Sequence, residues 1–273
     1  MIVFPNAKIN LGLKIRRKRD DGFHDIETLF IPVALKDILE IAPSKNNVVE
    51  LKTTGLPVSC MQEENLVFRA AALMQKKYHL PGINMHLHKM IPMGAGLGGG
   101  SADASFAILL INRIFNLGLS TESLINIAAE MGSDCPFFIL NKPCLGTGKG
   151  EILHPLDVPV IKDLSVVIVK PDIFISTKAA YAGVTPDAES EPITDVLNQR
   201  LDLWKSRMIN DFEASLSNTY PQIEEIKLKL YALGAEYASL SGSGAALYGL
   251  FRDIPDNLKD AFSDCFVWQG EFI

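Results

Sequence analysis

The stretch Pro92-Met93-Gly94-Ala95-Gly96-Leu97-Gly98-Gly99-Gly100-Ser101 decides the reading of this chain. Five of the seven positions from Gly94 to Gly100 are glycine, and each loses backbone entropy on folding while burying no side chain. Such a run implies a need for bare backbone. Before it, Ile83, Met85, Leu87 and Ile91 alternate onto one apolar face, which predicts a strand with Lys89 near its end. After it comes an apolar helix containing Ala104, Ala107, Ile108, Ile111 and Phe115. A loop nearly free of Cβ atoms at a helix mouth presents N–H groups and the positive end of the helix dipole to an anion, most often phosphate. The competing reading is a tight packing turn.

Three other phosphate-binding patterns fit poorly. A Walker loop needs G-x-x-x-x-G-K-[ST], but Gly148-Lys149 is followed by Gly150 and has Pro143 where the first glycine belongs. Gly94, Gly96 and Gly99 satisfy G-x-G-x-x-G, which leaves an NAD-dependent oxidoreductase as an alternative. A dinucleotide fold, however, wants an acidic residue about twenty positions on, where Ile114 to Leu119 stand. A protein-kinase loop would be accompanied by H-R-D and D-F-G motifs, and the chain has neither.

Outward from the loop, alternation predicts strands at Ile2–Phe4, Lys8–Arg16, Ile26–Val33 and Asp37–Ile41. Asn65 is placed to cap a helix running to about His79, and Ser120 or Thr121 one ending at Gly132. A boundary is expected between Gly150 and Lys162, which divides the chain into domains 1–155 and 156–273. Beyond it we read strands at Leu164–Val169, Glu236–Leu240, Ala246–Phe251 and Cys265–Gln269. Helices are expected at about Thr177–Ala182, Asp195–Arg207, Asp211–Ser217, Ile223–Leu233 and Asp256–Phe262. The class is α+β with antiparallel and mixed sheets, and a ligand cleft is expected between the domains.

Bulk properties narrow the function. A net charge of −6 gives no electrostatic reason for nonspecific nucleic-acid binding. No signal-like opening and no run of eighteen apolar residues is seen, so a cytoplasmic enzyme without membrane contact is expected. The four cysteines form no C-x-x-C pair and read as ordinary thiols. His86 and His88 share a strand face but lack a third metal ligand nearby. The run Arg16-Arg17-Lys18-Arg19 is either a solvated hairpin tip or a contact for an anionic substrate.

The loop resembles the central motif P-x-x-x-G-L-G-S-S of the GHMP superfamily of small-molecule kinases. Two more motifs agree in order: Pro5-Asn6-Ala7-Lys8-Ile9-Asn10-Leu11, with one residue more before the lysine than P-x-K-x-N-L, and the second glycine loop Leu240-Ser241-Gly242-Ser243-Gly244-Ala245. Within the superfamily, Asp21-Gly22-Phe23-His24 and Gly132-Ser133-Asp134-Cys135-Pro136-Phe137-Phe138 are similar to motifs of the 4-diphosphocytidyl-2-C-methyl-D-erythritol kinase family. Phe23 departs from that family's tyrosine, and Ala102 from a second serine after the loop. Other GHMP kinases, of mevalonate, homoserine or galactose type, and a non-catalytic nucleotide-binding protein of the same fold are the alternatives.

The resemblance implies ATP as phosphoryl donor, Mg2+ carried with it, and a cytidine diphosphate-linked acceptor phosphorylated at its 2-hydroxyl in the non-mevalonate isoprenoid pathway. It makes Asp134 the base, against a helix-cap or turn aspartate. Lys8, otherwise a solvated strand lysine, comes between Asp134 and the reacting hydroxyl. Nucleotide contacts fall to Pro92–Ser101 and to Asn65 and Leu66, the alternative for Asn65 being a plain helix cap. Acceptor contacts fall to Asn10, Phe23, His24, Tyr181, Ser241 and Gly242; Phe23 stacks on cytosine, Tyr181 closes the other face, and His24 reads the base edge through its backbone, while the Ser241–Gly244 loop supports either the glycine loop or substrate phosphates, a plain hairpin turn being the alternative. No metal ligand is assigned, and a monomer or weak homodimer is expected.

Overall fold

In the computed structural model, which describes residues 1–273, the chain opens with strands β1 (Ile2–Val3), β2 (Asn6–Lys18), β3 (His24–Lys36), β4 (Ile38–Ser44) and β5 (Val49–Gly55). Helix α1 (Leu66–Tyr78), β6 (Gly82–Lys89), α2 (Gly99–Ile114), α3 (Thr121–Ala129) and α4 (Cys135–Leu140) follow. Next come β7 (Cys144–Thr147), β8 (Ile152–Pro155), β9 (Ser165–Pro171), α5 (Thr177–Ala182), α6 (Ile193–Leu197), α7 (Trp204–Arg207) and α8 (Asp211–Leu216). The chain ends with α9 (Gln222–Ala232), β10 (Tyr237–Leu240), β11 (Leu247–Phe251), α10 (Leu258–Ala261) and β12 (Cys265–Gly270). No helix is long and apolar enough to cross a membrane.

Two compact units emerge, each discontinuous in sequence. The first comprises Met1–Ala7, Leu35–Met93 and Gly98–Lys142; the second comprises Lys8–Ala34, Gly94–Leu97 and Pro143–Ile273. A single cut at 155/156 does not separate them. Strand pairing is the reason: one sheet runs in the order β2-β3-β7-β8, so most of the N-terminal β2 and β3 stays with residues after Pro143.

In the first unit the sheet order is β1-β4-β6-β5, with β5 parallel to β6 and the other pairs antiparallel. The alternation read at 83–91 sorts its faces. Ile83, Met85 and Leu87, with Leu39 and Ile41 of β4, pack against Val67, Ala70 and Met74 of α1 and Ala104, Ile108 and Ile111 of α2. Glu40, Lys52, Asn84 and His86 line the opposite, open face. There His86 and His88 both hydrogen-bond the Thr54 hydroxyl, each at 2.9 Å.

Helix limits follow local chemistry. Asn65 caps α1, its side-chain oxygen accepting from the Val67 amide at 3.0 Å. His79 ends that helix in the left-handed region, at φ 51°. Ser120 caps α3, which stops at Ala129, three residues short of the expected Gly132. Just beyond it the chain enters α4, whose first turn accepts Pro136 because an N–H there has no intrahelical partner to lose. Strands β5, β7 and β8 were not predicted; they are short of apolar alternation and owe their form to pairing, β5 with β6, β7 with β3 and β8 with β7.

The second unit holds two sheets. Beside β2-β3-β7-β8 stands the antiparallel sheet β10-β11-β9-β12. Val167, Val169 and Leu247 pack with Phe212 of α8 and Leu230 of α9 in one core. The helix expected over Asp195–Arg207 is broken into α6 and α7. The fully buried Trp204 ties the two pieces together, its indole N–H donating to the Val196 carbonyl at 3.1 Å. The basic run is held by carboxylates: Arg16 pairs with Glu27, Arg17 with Asp25, and Arg19 with Asp21 and Asp25.

The two-faced sheet gives a direct test. Leu87→Ala, which removes a 1% exposed side chain from the helix–sheet core, is expected to destabilise by about 2–5 kcal/mol. Asn84→Ala on the open face should stay within about 0.5 kcal/mol. Urea unfolding of the two variants would measure the contrast.

Candidate active site

Residues 94–97, in the second unit, are held by backbone. Gly94 and Gly96 take φ of 60° and 75°, in the left-handed region, where side-chain-bearing residues are strained. Between and after them Ala95 and Leu97 turn inward, 2% and 1% exposed. The Ala95 carbonyl accepts from the Ala246 amide at 3.1 Å, and the Leu97 carbonyl from the Lys8 amide at 2.9 Å. A Cβ on Gly96 would overlap the Ser241 carbonyl oxygen.

The second glycine loop is thereby a support for the first. Ser241 is fully buried and donates its hydroxyl to the Gly96 carbonyl at 2.9 Å. Gly242, at φ 55°, accepts from the Asn210 side-chain amide at 2.9 Å, and the same amide reaches the Leu240 carbonyl at 2.8 Å. Asn210 was missed in the sequence, where Asn210-Asp211-Phe212-Glu213 reads only as a helix start. Its oxygen caps α8 while its nitrogen braces the loop. Glu213 adds to this, accepting from the Leu240 amide and the Ser239 hydroxyl, each at 2.7 Å.

Residues 98–101 belong to the first unit and open α2. Gly98, at φ 70°, is the N-cap and has no side chain with which to cover the first-turn amides. Gly100 is exposed, and the Leu66 Cδ1 lies 3.6 Å from the place its Cβ would occupy. Leu66 thus borders Gly100, and Asn65, the residue before it, is the helix cap of α1. Pro92 is half-buried and Met93 is exposed.

Beneath this turn lies a buried ion cluster that alternation alone did not reveal, although Lys89 has the parity of the apolar face. Its ammonium pairs with Asp37 and, at 2.8 Å, with Asp103; all three residues are 3% exposed or less. Asp37 also accepts from the Met90 and Ile91 amides at 2.5 and 2.8 Å. A Cβ on Gly99 would come within 3.3 Å of the Lys89 Nζ. Burial opposes the Lys89 charge, but the Asp103 and Asp37 carboxylates outweigh it and raise its pKa. Asp103 has one carboxylate oxygen without a hydrogen bond. Burial raises its pKa to about 7, Lys89 pulling the other way and Asp37 adding to the rise.

Asp134 is the N-cap residue of α4, and its side chain makes no capping hydrogen bond there. Its turn is tied to α2: the Ser105 hydroxyl donates to the Cys135 carbonyl at 2.8 Å. Burial pushes the Cys135 thiol up to about 11; a hydrogen bond to Ser101 lowers it and the charge of Asp134 raises it. Within the first unit, then, Ser101 and Asp134 both border Cys135.

In the second unit Lys8 is 3% exposed, not solvated. Its ammonium donates to the Asn10 side-chain oxygen and lies 5.3 Å from the Phe30 ring centroid. Asn10 in turn donates to the Thr28 hydroxyl at 3.0 Å. Both ends of its amide are therefore engaged by protein, which makes Asn10 a holder of Lys8 in this arrangement.

The aromatic residues arrange themselves differently from the expected pair of platforms. His24, not Phe23, lies on Tyr181, the rings parallel within 20° and 4.7 Å apart. Phe212 meets the Tyr181 ring edge-on at 4.8 Å. Burial, then the charge of Lys18, lowers the His24 pKa, which favours the neutral ring for stacking. Phe23 is 56% exposed, with the Lys149 ammonium 4.8 Å from its centroid. Lys149 was dismissed with the failed Walker pattern, and the failed motif concealed it. Phe174 was also missed: 73% exposed, it leans on Gly94.

Comparison with known proteins bears on this arrangement. The family model described as GHMP kinases N terminal domain matches residues 65–142, and GHMP kinases C terminal matches 193–267. A 4-diphosphocytidyl-2-C-methyl-D-erythritol kinase from Parabacteroides distasonis is 46% identical, with 99% of each chain covered. This chain belongs to the 4-diphosphocytidyl-2-C-methyl-D-erythritol kinase family. A crystal structure of 4-(cytidine 5'-diphospho)-2C-methyl-D-erythritol kinase superposes with a TM-score of 0.83 at 31% identity, covering 100% of this chain and 99% of the other. A mevalonate kinase structure, covered to 99% by 100% of this chain, has a TM-score of 0.76 at 12% identity and shares the fold alone. The GHMP fold and membership of this small-molecule kinase family are thus established, and the two matched spans contain both glycine loops and Asp134.

The ion cluster sets an expected pH dependence. The folded chain keeps the Asp103 proton up to about pH 7, whereas an unfolded aspartate releases it near about pH 4. Its contribution to stability is therefore full below about pH 4 and lost as pH rises through about 7. Asp103→Asn, which imitates the protonated acid, should flatten that part of the melting-temperature profile. An unchanged slope in the variant would place the proton elsewhere.

Proposed function

We propose that the chain transfers the γ-phosphoryl group of ATP to the 2-hydroxyl of 4-diphosphocytidyl-2-C-methyl-D-erythritol, as a step of the non-mevalonate isoprenoid route. The observation that carries the reading is the bared turn at 94–101: left-handed glycines at 94, 96 and 98 lead into α2, whose N-cap glycine has no side chain to cover the first-turn amides. Amides and dipole at such a helix mouth suit the phosphates of a nucleotide. Asn65 and Leu66 border the same turn and serve the adenine end.

Phosphoryl transfer to an alcohol needs the hydroxyl deprotonated, aligned and its developing charge offset. Asp134, at the start of α4, takes the proton. The Lys8 ammonium offsets charge on the acceptor oxygen and is oriented by Asn10. Phe23, His24 and Tyr181 receive the cytosine. A pyrimidine entering there either replaces the His24 ring on Tyr181 or uses the exposed Phe23 face, and Lys149 beside Phe23 suits the neighbouring diphosphate. Loss of the tyrosine hydroxyl at Phe23 leaves that stacking intact.

Mg2+ belongs to the reading as the ion carried by ATP, where it neutralises charge on the transferred group. It takes hard oxygen donors, and the Ser101 hydroxyl and Asp134 carboxylate, both bordering Cys135, are of that type. A cytoplasmic location and a monomer or weak homodimer complete the proposal.

Asp134→Ala is expected to lower turnover about a hundredfold or more while leaving ATP affinity near that of the parent chain. ADP release with the cytidine acceptor, beside nucleotide titration by calorimetry, measures both. Full turnover in the variant would remove Asp134 as base. Turnover with mevalonate, homoserine or galactose, and none with the cytidine compound, would overturn the choice of acceptor.

A further inference from the structure

Asn10 is 2% exposed and its backbone is pinned: its amide donates to the Ser241 hydroxyl at 3.3 Å and its carbonyl accepts from the Tyr248 hydroxyl at 2.9 Å. What remains free is the direction of its side-chain amide. That direction matters, because an ammonium has only protons to give and must meet the oxygen end.

Thr28, fully buried on β3, decides it. The Thr28 hydroxyl donates to the Gly12 carbonyl at 2.6 Å. A hydroxyl has one proton, and a carbonyl can only accept. Thr28 therefore faces Asn10 as an acceptor, and the group it meets at 3.0 Å is the Asn10 NH2. The Asn10 oxygen is left pointing at Lys8. Reversal would set an NH2 against the ammonium and a carbonyl against an oxygen with no proton to offer. Gly12 anchors the series: it lies in β2 with φ 68°, and a Cβ there would come 2.7 Å from the Met208 sulfur.

We propose that Thr28 is a positioning residue for Lys8, its single hydroxyl proton committed to Gly12 so that the Asn10 amide must present its oxygen to the Lys8 ammonium. The inference rests on the assignment of Lys8 to the reacting hydroxyl made above. Thr28 touches neither nucleotide nor acceptor in that reading. Its effect passes through two side chains and is felt where the phosphoryl group is transferred, not where ligands are bound.

The test is steady-state kinetics with ATP and the cytidine acceptor, alongside melting temperatures. Thr28→Val keeps the shape and removes the hydroxyl; kcat is expected to fall about ten- to a hundredfold with both KM values within about twofold. Thr28→Ser, which restores the hydroxyl, should return kcat to near the parent value, an outcome that loss of packing alone would not produce. Should Thr28→Val fail to fold, Thr28→Cys, with a weak donor in nearly the same volume, reports the same loss.

Lys8→Met separates the two levels of the argument. Parental turnover in Lys8→Met overturns the role of Lys8 and the relay with it. A large loss there beside unchanged kcat in Thr28→Val overturns Thr28 alone. Adding Thr28→Val to Lys8→Met should cause no further fall in kcat, because the relay has lost its end point; a further tenfold fall overturns the relay. A raised KM at constant kcat in Thr28→Val also overturns it.

Discussion

The two glycine loops of the second unit hold their form because two backbones meet without side chains between them. Gly96 and Ser241 approach so closely that any Cβ at 96 would occupy the Ser241 carbonyl oxygen. Contact at that range excludes water and lets one loop brace the other through short hydrogen bonds. Ser241 to Gly96 and Ala246 to Ala95 are those bonds, and Asn210 with Glu213 holds the bracing loop from behind. A glycine loop that would otherwise sample many conformations is thus held in one, with its entropy loss already met before a ligand arrives.

Rigidity of a second kind sits under α2. Two carboxylates and one ammonium share a dry space, and a buried pair of this sort contributes little net stability while its rupture is costly. Its effect is geometric: Asp37 binds the two amides just ahead of Pro92, and Asp103 binds the first turns of α2 to the end of β6. Strand end and helix start are locked to each other, so the intervening glycines need not carry that load.

Legibility from sequence followed the range of the physics. The glycine loop, the caps Asn65 and Ser120, and the alternation of β6 are local, and each was readable because the signal lies within one turn or one strand. Lys89 shows the limit: its parity places it among buried residues, yet nothing nearby in the chain announces the carboxylate of Asp37, 52 residues earlier. Asn210 was hidden for the same reason: it stands just ahead of a helix start in the sequence, while its side-chain nitrogen reaches Gly242. His24 against Tyr181 could not be inferred either, since aromatic residues far apart in sequence choose partners only by packing.

The chain's own order of residues determined its class, the phosphate-type loop at a helix mouth, and the short motifs that place it in its family. These are properties of backbone freedom and of side-chain period, which few distant contacts can change. The tertiary structure alone decided which strands share a sheet, hence a second unit that takes in Lys8–Ala34 and Gly94–Leu97 together with the residues after Pro143. It alone also decided the orientation of Asn10 and the burial of Lys8. Hydrogen-bond direction and desolvation are set by whatever atoms fold into place around a group, and no count along the sequence contains them.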